Sequence, residues 1–408
     1  MDTLQETRNN SDVGRQSQDT PFENGALIIG ADFQGLGVAR NLAQFGVPVV
    51  AVDPNFCIGR FSRHIRACHK CPPVTQAREF VDFLKDLCVR EGLNGWVVYP
   101  TSDLAVCVLS QHRDELTPHY RIPTPPWEIT RHVYDKKLTA QLAEQLDIPS
   151  PVSFFPQGED ELLDLELDYP VILKPTIKEN FFPQTKLKAM RANDRDELLE
   201  AYRFMTSVID PSEVMVQELI QGGAENLYSF CCLFADGQVK ARLVAQRPRQ
   251  HPMDFGNATT LAVTCEVPGL EDHAARFLKA AGYHGLAEVE FMYDPKRDIF
   301  KLLEVNPRTW GWHTLGAGAG VNFSGLLFQQ MTDQRINANG YEKDVKWVRL
   351  LTDVAIVASE MRKGRLTLGQ YVRSLRGKKE YAVCSLRDPL PFLVEVFLAP
   401  YFWYKRGF

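Results

Sequence analysis

The chain has 408 residues, which is too long for a single hydrophobic core and suits two or three domains. Hydrophobic residues make up 45% and charged residues 24%, as is ordinary for a globular protein. The net charge of -5 leaves no basic excess for the phosphates of nucleic acids, so we expect no nucleic-acid partner.

Residues 1–23 are polar and almost without apolar anchors, so we predict a disordered tail. The chain does not start with an apolar segment of the signal-peptide type. Several of the nine cysteines lie inside apolar runs, which indicates free thiols in a reducing compartment. We therefore expect a cytoplasmic protein.

Residues 24–128 alternate strands with helices. A strand at 26–29, a helix at 38–45 and a strand at 47–52 form a βαβ unit, and further strand and helix patterns follow. This alternation is typical of a Rossmann-like domain with a parallel sheet. Cysteines and histidines cluster at 57–71, but the second ligand pair that a zinc site usually needs is absent from the sequence. We interpret that cluster as a strand and loop with incidental thiols.

A glycine turn of Gly30, Gly35 and Gly37 connects the first strand to its helix, and Asp53 ends the next strand. Backbone amides at such a turn can hold phosphate, which would suit a nicotinamide cofactor and an oxidoreductase. The spacing differs from the dinucleotide fingerprint G-x-G-x-x-G. The other interpretation is that the glycines allow a tight turn and close helix packing.

Residues 129–335 have a different pattern, which predicts an α+β domain. A helix starts at Asp135, and a strand at 171–174 is followed by a glycine-poor loop at 175–188. A second short strand, a helix and several antiparallel strands come next, with hairpin signals at Asp236-Gly237 and Asp294-Pro295.

Residues 336–408 predict a helical C-terminal extension. Its last run, "DPLPFLVEVFLAPYFWYKRGF", is aromatic-rich but too short to span a bilayer. The run could dock on the core or lie at a membrane surface, and we favour docking on the core. A homo-oligomer is left open.

The segment "LLEVNPRTWGW" places an acid, an amide and a base at every second position: Glu304, Asn306 and Arg308. Side chains of a strand alternate faces, so these three point the same way. Glu288 and Glu290 share a face of the preceding strand. Carboxylates that converge need a cation, and oxygen ligands suit Mg²⁺ or Mn²⁺.

Several cationic residues of the sequence are candidates for the same site as these acids. Arg308 suits a phosphate or a developing anion. Lys174 ends the apolar strand "VILKP", Lys136 starts a helix, and Arg247 and Arg249 lie in "AQRPRQHP".

Two other groups have open roles. We expect Ser102 and Asp103 to form a helix N-terminus, with a substrate-side role as the alternative, and Trp310, Trp312 and His313 to pack, with the border of a substrate pocket as the alternative.

From about residue 25 to 330 the chain resembles the ATP-grasp carboxylate-amine ligases. The motifs are "DKKLTAQLAEQLDIPSP", "VILKP", "VMVQELIQGGAENLYSF" and "AEVEF" with "LLEVNPR". The resemblance implies an ATP-grasp fold of two lobes preceded by a Rossmann-like domain, with a hinge near 217–225. It implies ATP and Mg²⁺ as cofactors, with Mn²⁺ as the alternative ion. The site residues it implies are Lys136 and Lys174 on phosphates, Gln217, Glu218, Leu219 and Ile220 around the base, Glu225 on the ribose, Glu290, Glu304 and Asn306 on the metal, and Arg308 with Arg247 or Arg249 on an acyl phosphate.

The same resemblance implies a reaction between two small molecules, a carboxylate and an amine, through an acyl phosphate. The glycine-poor segment with Lys178, Lys186 and Lys188 departs from the common pattern and is closer to D-aspartate ligases of peptidoglycan cross-bridges. We keep four alternatives open: such a peptidoglycan precursor enzyme, a peptide or secondary-metabolite ligase, a nicotinamide-dependent oxidoreductase, and a nucleotide sensor that lacks turnover.

Overall fold

The computed structural model describes residues 24–253, 256 and 258–399. The predicted disordered tail at 1–23 lies outside the described residues. Within them the strands form three sheets, and helices cover the sheets. The architecture is α/β in its N-terminal part and α+β afterwards, as the sequence predicts.

The N-terminal sheet is parallel, with described strands in the order β3-β2-β1-β4-β5. Its three central strands, β2, β1 and β4, are buried and mostly apolar, which a parallel sheet covered on both faces requires. Its elements are β1 (Ala26–Ile29), α1 (Phe33–Ala43), β2 (Val49–Asp53), β3 (Ala67–Lys70), α2 (Ala77–Glu91), β4 (Trp96–Pro100), α3 (Asp103–Gln111), α4 (Arg113–Leu116) and β5 (Tyr120–Arg121).

Two helices lead out of this sheet and into a small antiparallel sheet of four described strands, in the order β6-β9-β7-β8. The second of these helices begins after Asp135, whose side chain caps it by accepting from Lys137 N. The elements are α5 (Trp127–Tyr134), α6 (Lys136–Gln145), β6 (Ser153–Phe154), α7 (Glu159–Leu163), β7 (Val171–Pro175), α8 (Lys178–Thr185), β8 (Met190–Ala192), α9 (Arg195–Thr206) and β9 (Val214–Glu218).

The large sheet has seven described strands in the order β14-β13-β10-β11-β12-β15-β16, and it is antiparallel except for its last pair. A 3₁₀ turn at Ala224–Asn226 precedes it. Its strands are β10 (Leu227–Ala235), β11 (Gln238–His251), β12 (Ala258–Cys265), β13 (Gly285–Asp294), β14 (Ile299–Asn306), β15 (Lys346–Val348) and β16 (Lys379–Tyr381), and its helices are α10 (Leu270–Ala280), α11 (Thr314–Ala319), α12 (Phe323–Met331), α13 (Leu350–Arg362), α14 (Leu368–Ser374) and α15 (Leu390–Phe397).

Two segments differ from the sequence prediction. Residues 178–185 form helix α8 with Pro183 inside it, where the sequence predicts a loop. The segment after residue 336 contains helices, as expected, but also strands β15 and β16, which extend the large sheet. Three-residue strands carry too little periodicity to be distinguished from loop in a sequence.

One hydrophobic core joins the N-terminal sheet to the large sheet. It contains Ile28 and Tyr99 from the N-terminal sheet and Leu233 and Trp347 from the large sheet. Tyr99 Oη donates to Ser324 O at 2.8 Å within this core. The two sheets therefore hold a fixed relation to each other, which matters because the candidate site draws residues from both. No described helix is both long and apolar enough to cross a membrane.

Candidate active site

A cleft of about 1200 Å³ lies where the three sheets approach each other. The described residues that line it include most of those singled out in the sequence. They are Lys136, Lys174, Lys188, Gln217, Glu218, Leu219, Ile220, Arg247, Glu288, Glu290, Glu304, Asn306, Arg308 and, from the N-terminal domain, Asp103.

The acidic floor of the cleft is built by strand register. In the β13–β14 pair, Glu290 lies opposite Glu304 and Glu288 lies opposite Asn306. Directly opposed residues of an antiparallel pair project from the same face, so all four side chains reach the cleft. Asn306 Nδ2 donates to Glu290 Oε1 at 2.8 Å and to Glu288 Oε2 at 3.3 Å.

Protein cations compensate these carboxylates. Arg247 donates from both terminal nitrogens to Glu290, with Nη1 at 3.1 Å from Oε1. Lys136 Nζ lies 3.0 Å from Glu304 Oε2. Burial and the nearby Glu290 raise the pKa of Glu288 to about 7. Burial would also raise the pKa of Glu304, but the ammonium groups of Lys136, Lys188 and Lys174 lower it well below its ordinary value.

The floor offers oxygen ligands suited to a hard divalent cation: the carboxylates of Glu290 and Glu304 and the amide oxygen of Asn306. No three Asp, Glu, His or Cys side chains among the described residues stand in metal-binding geometry. The proposed set contains two carboxylates and one amide, and its carboxylates are engaged by protein cations, Glu290 by Arg247 and Glu304 by Lys136. The donor set fits Mg²⁺, provided that these carboxylates exchange protein cations for the metal.

Lysines form the wall above the floor. Lys174 on β7 makes no hydrogen bond or ion pair with any described residue, and burial together with Lys136 lowers its pKa to about 8. Lys188 Nζ donates to Gly256 O at 3.1 Å, and burial lowers its pKa to about 8 as well. Lys174 and Lys188 are half-buried, and an ammonium group that is partly removed from water without a paired carboxylate favours binding of an anion.

At the end of the cleft nearest the N-terminal domain, Arg308 meets Asp103. Arg308 Nε donates to Asp103 Oδ1 at 2.6 Å, and Arg308 Nη2 donates to Asn306 Oδ1 at 3.0 Å. Burial opposes ionisation of Asp103, but Arg308 and Lys178 lower its pKa below the ordinary value. Ser102 caps α3, as predicted, by accepting from Ala105 N. Asp103 begins that helix and also lines the cleft, so the expected helix start is found and the alternative of a substrate-side role stays a prediction.

The opposite end of the cleft is bordered by the segment predicted to hold the nucleotide base. Gln217, Leu219 and Ile220 line it. Glu218 accepts two hydrogen bonds from Lys301 Nζ, at 2.8 and 2.7 Å, and Lys301 also lies 3.0 Å from Asp294. Lys301 is 1% exposed, and sequence reasoning missed it because it appears as one lysine in a turn-flanking strand.

Glu225 and Arg249 are not among the described residues that line the cleft. Glu225 is exposed on the 3₁₀ turn, and its carboxylate accepts from Gly223 N at 2.9 Å. Arg249 donates to both carboxylate oxygens of buried Asp353 at 2.8 Å and to Ser374 Oγ, so it joins β11 to the C-terminal helices. The structure thus separates Arg249 from Arg247, which the sequence grouped together.

The remaining sequence candidates divide between packing and the cleft. Trp310 and His313 are buried, and Trp310 packs edge-on against Phe323 with ring centroids 4.9 Å apart. Trp312 is buried too, but it borders the cleft. Lys178 lines the cleft, whereas Lys186 turns back to Pro183 O on the surface.

The glycine turn of the N-terminal domain serves packing. A Cβ on Gly35 would lie 2.2 Å from Gly30 O, and a Cβ on Gly37 would lie 2.6 Å from Thr314 Cγ2. Asp53, the residue that a dinucleotide would need for its ribose, accepts from Ala31 N and Asn55 N at 2.8 Å each. This arrangement favours the packing interpretation over the nicotinamide site.

The chain matches no protein-family model. It is 23% identical over 218 residues to the D-aspartate ligase of Enterococcus faecium, which covers 49% of this chain and 50% of that protein. It is 21% identical over 187 residues to the carbamoyl phosphate synthase large chain of Methanobrevibacter smithii, covering 44% of this chain and 17% of that one. The chain therefore matches half or less of the length of these curated relatives.

Solved structures match over more of the chain. The L-amino acid ligase of Bacillus licheniformis has a TM-score of 0.58 at 18% identity and covers 76% of this chain and 74% of its own. The N5-carboxyaminoimidazole synthetase of Staphylococcus aureus has a TM-score of 0.63 at 14% identity, covering 84% and 86%. A biotin carboxylase domain of Hydrogenobacter thermophilus, in complex with MgADP and bicarbonate, has a TM-score of 0.61 at 14% identity, covering 79% and 73%.

These likenesses show that the chain has the ATP-grasp fold, so the predicted fold is confirmed. The proteins that share the fold with it are named as ligases, a synthetase and carboxylases, and one of them is bound to MgADP.

Proposed function

We propose that the protein is an ATP- and Mg²⁺-dependent ligase that joins a small-molecule carboxylate to an amine. The observation that carries this proposal is one cleft in which the opposed acids Glu290 and Glu304 face Lys174, a half-buried lysine that forms no hydrogen bond or ion pair with a described residue. Phosphoryl transfer from a nucleotide requires carboxylates that bind a metal ion and neighbouring cations that bind the phosphates.

Each group has a role in this proposal. Lys136, Lys174 and Lys188 bind the phosphates, and Gln217 to Ile220 border the base. Glu290, Glu304 and Asn306 hold Mg²⁺, which when bound offsets negative charge on the phosphate oxygens. Glu225 is exposed at the rim, and a contact to the ribose requires the 3₁₀ turn to move toward the cleft.

The reaction proceeds in two balanced steps. A substrate carboxylate oxygen attacks the γ-phosphorus of ATP, which breaks the bond to the β-phosphate oxygen and releases ADP. The amine nitrogen of the second substrate then attacks the acyl carbon, phosphate leaves, and the amine loses a proton as the amide forms. Arg308 and Arg247, which lie on either side of Asn306, bind the acyl phosphate and stabilise its charge.

The experiment that tests this proposal measures ADP release with ATP, Mg²⁺, an amino acid and an amine, screened over a panel of both substrates. We expect release to need all four components and to be lost in Glu304→Gln, which keeps the side-chain shape but removes the metal-binding charge. Glu271→Gln is the matched control, since Glu271 pairs with Arg242 on the surface. Circular dichroism checks that each variant is folded. Unchanged ADP release in Glu304→Gln would contradict the metal assignment.

A second candidate is the D-aspartate-ligase-like peptidoglycan precursor enzyme, which the similarity to the Enterococcus faecium protein favours. The L-amino acid ligase among the solved structures favours L-amino acids instead. Comparing D-aspartate with L-amino acids as the carboxylate substrate decides between them. ADP release with D-aspartate but not with L-amino acids, each in the presence of the amine, would support the second candidate. A cytoplasmic location and a homo-oligomer stay predictions.

A further inference from the structure

Helix α15 (Leu390–Phe397) carries apolar residues both on the side that packs on the core and on the side that faces outward. Its polar residue, Glu395, is 4% exposed and lies 3.4 Å from the Arg349 guanidinium. Leu390 and Phe397 are 56% and 83% exposed, and Leu393 between them is 47% exposed. Residues three and four apart share one face of a helix, so these three form an outward apolar stripe.

The stripe continues before the helix, where Leu386 is 98% exposed. Helices on the surface of a globular domain normally place large apolar residues inward, because their exposure to water is unfavourable. In α15, Phe392 and Val394 pack against the core and Glu395 is buried, yet large apolar residues also remain exposed on the outward side. We call Leu386, Leu390, Leu393 and Phe397 the apolar stripe.

Arginines border the apolar stripe. Arg387 follows Leu386, and Arg63 lies beside the start of α15, where its backbone N–H donates to Asp388 Oδ1 at 3.2 Å. Arg60 is exposed on the 3₁₀ turn Ile58–Phe61, which packs against α15. None of these three guanidinium groups forms an ion pair with a carboxylate among the described residues. Cations next to an exposed apolar face complement the anionic headgroups of a bilayer.

The sequence after α15 has the same chemistry. Residues 401–406 read Tyr-Phe-Trp-Tyr-Lys-Arg, and they lie outside the described residues. Tyrosine and tryptophan are enriched at membrane interfaces, and lysine and arginine add attraction to anionic lipids. The chain beyond the helix is therefore similar in composition to the apolar stripe and the arginines that border it.

We propose that the apolar stripe is the surface by which the protein docks on an anionic lipid bilayer. A second copy of the chain fits less well, because a two-fold interface would place the same patch against itself and bring the arginines of both copies together. The net charge of -5 repels the whole molecule from an anionic surface, so the local arginines set its orientation. The inner side of α15 packs on the core, as the sequence-based expectation has it, and the proposal concerns the outer side alone. It does not rest on the proposed ligase activity.

The test is sedimentation of the full-length protein with phosphatidylcholine vesicles that contain either no anionic lipid or about 30% phosphatidylglycerol. We expect binding to the anionic vesicles that weakens with added salt. Leu390→Glu with Phe397→Glu should weaken it at least about tenfold. Val89→Glu is the matched control, since Val89 is 78% exposed on α2 in the N-terminal domain. Its binding should equal that of the wild type.

Melting temperature and circular dichroism, measured on each variant, show whether it is folded. Two outcomes would overturn the proposal. One is the absence of binding to anionic vesicles, or equal binding by the double variant. The other is a concentration-dependent dimer that the double variant abolishes while wild-type protein ignores vesicles, which would make the apolar stripe an interface between two copies.

Discussion

Arg308 is held by Asp103, a residue 205 positions earlier in the chain. Arg308 follows β14 of the large sheet, and Asp103 begins α3 of the N-terminal sheet. The guanidinium that we place on the acyl phosphate is therefore oriented by the other domain. Asp103 acts through Arg308 in this arrangement, so it is a positioning residue.

Asp103→Asn should leave the shape of the pair intact and remove the charge that orients Arg308. We expect ADP release to fall by up to about a hundredfold, because small misplacements of a charged group near the reacting atoms have effects of that order. ATP affinity should change little, since the nucleotide residues lie elsewhere in the cleft. Turnover and nucleotide binding by calorimetry measure the two effects separately.

The neighbouring residue supplies the control for that variant. Ser102→Ala removes the cap of α3, and it should cost about 1 kcal/mol of unfolding free energy while folded protein keeps its turnover. Equal loss of turnover in both variants would mean that disruption of α3, and not the Asp103 charge, lowers activity.

Nucleotide affinity should depend on pH through Lys174 and Lys188. Both have a pKa of about 8 in the free protein, lowered mainly by burial. A bound phosphate favours the ammonium form and raises both pKa values, so binding takes up protons above pH 8. Affinity should be full below about pH 8 and fall as the pH rises beyond it, by up to about tenfold per pH unit for each lysine.

Calorimetric titration of ADP between pH 7 and 9.5 measures this slope. Lys174→Arg with Lys188→Arg keeps both positive charges throughout the range and should flatten the profile. If the double variant shows the same slope as the wild type, these two lysines do not govern the pH dependence.

Arg249→Met should destabilise the fold while sparing the chemistry of folded protein. The change leaves Asp353, which is 0% exposed, without its cation, and breaking a buried ion pair costs about 3–5 kcal/mol. Replacing both partners, with Asp353→Leu added, should recover much of that loss. Urea unfolding measures it, and Arg247→Met provides the comparison, with a larger loss of ADP release. If the Arg249→Met protein is stable but inactive, Arg249 belongs to the active site after all.

Lys301→Met should weaken the fold near the nucleotide end of the cleft. It removes the cation shared by Glu218 and Asp294, so Asp294 loses its ion pair while Glu218 keeps Arg297. Burial opposes ionisation of Asp294, but Lys301 lowers its pKa below the ordinary value, and this contribution to stability is lost as the pH falls through the folded-state pKa.

Acid unfolding followed by circular dichroism measures the effect of Lys301→Met, and we expect the midpoint to move to higher pH. Lys296→Met is a matched change in the exposed turn beside β14, and it should leave the midpoint in place. Identical midpoints for the Lys301 variant and the wild type would show that the shared cation contributes nothing.

The sequence predicts those parts of the site that depend on strand alternation. Glu288 and Glu290 share one face of β13, and Glu304 and Asn306 share one face of β14. Antiparallel pairing of the two strands is all that is needed to place the four side chains on the same face of the sheet. The same reasoning fails in β11. Irregular pairing between Gln246 and Gln250 breaks the alternation, so Arg247 faces the cleft while Arg249 reaches Asp353.

Contacts between distant segments are the part that the sequence does not disclose. Asp103 reads as a residue in the first turn of a helix, and its contact with Arg308 depends on how two sheets pack. Lys301 reads as a surface lysine, yet the packing of β14 buries it between two acids. Helix α8 is hidden for a local reason, because Pro183 argues against a helix at 178–185.

Helix α8 changes how a bound nucleotide would leave. A glycine-rich phosphate loop orders when ligand arrives and frays when it departs, so its entropy sets part of the exchange rate. In this chain an already folded helix occupies that position, and Lys178 on its first turn faces the cleft. Little ordering entropy remains to be lost on binding. For a nucleotide bound as proposed, ordering of this segment would therefore contribute little to the exchange rate.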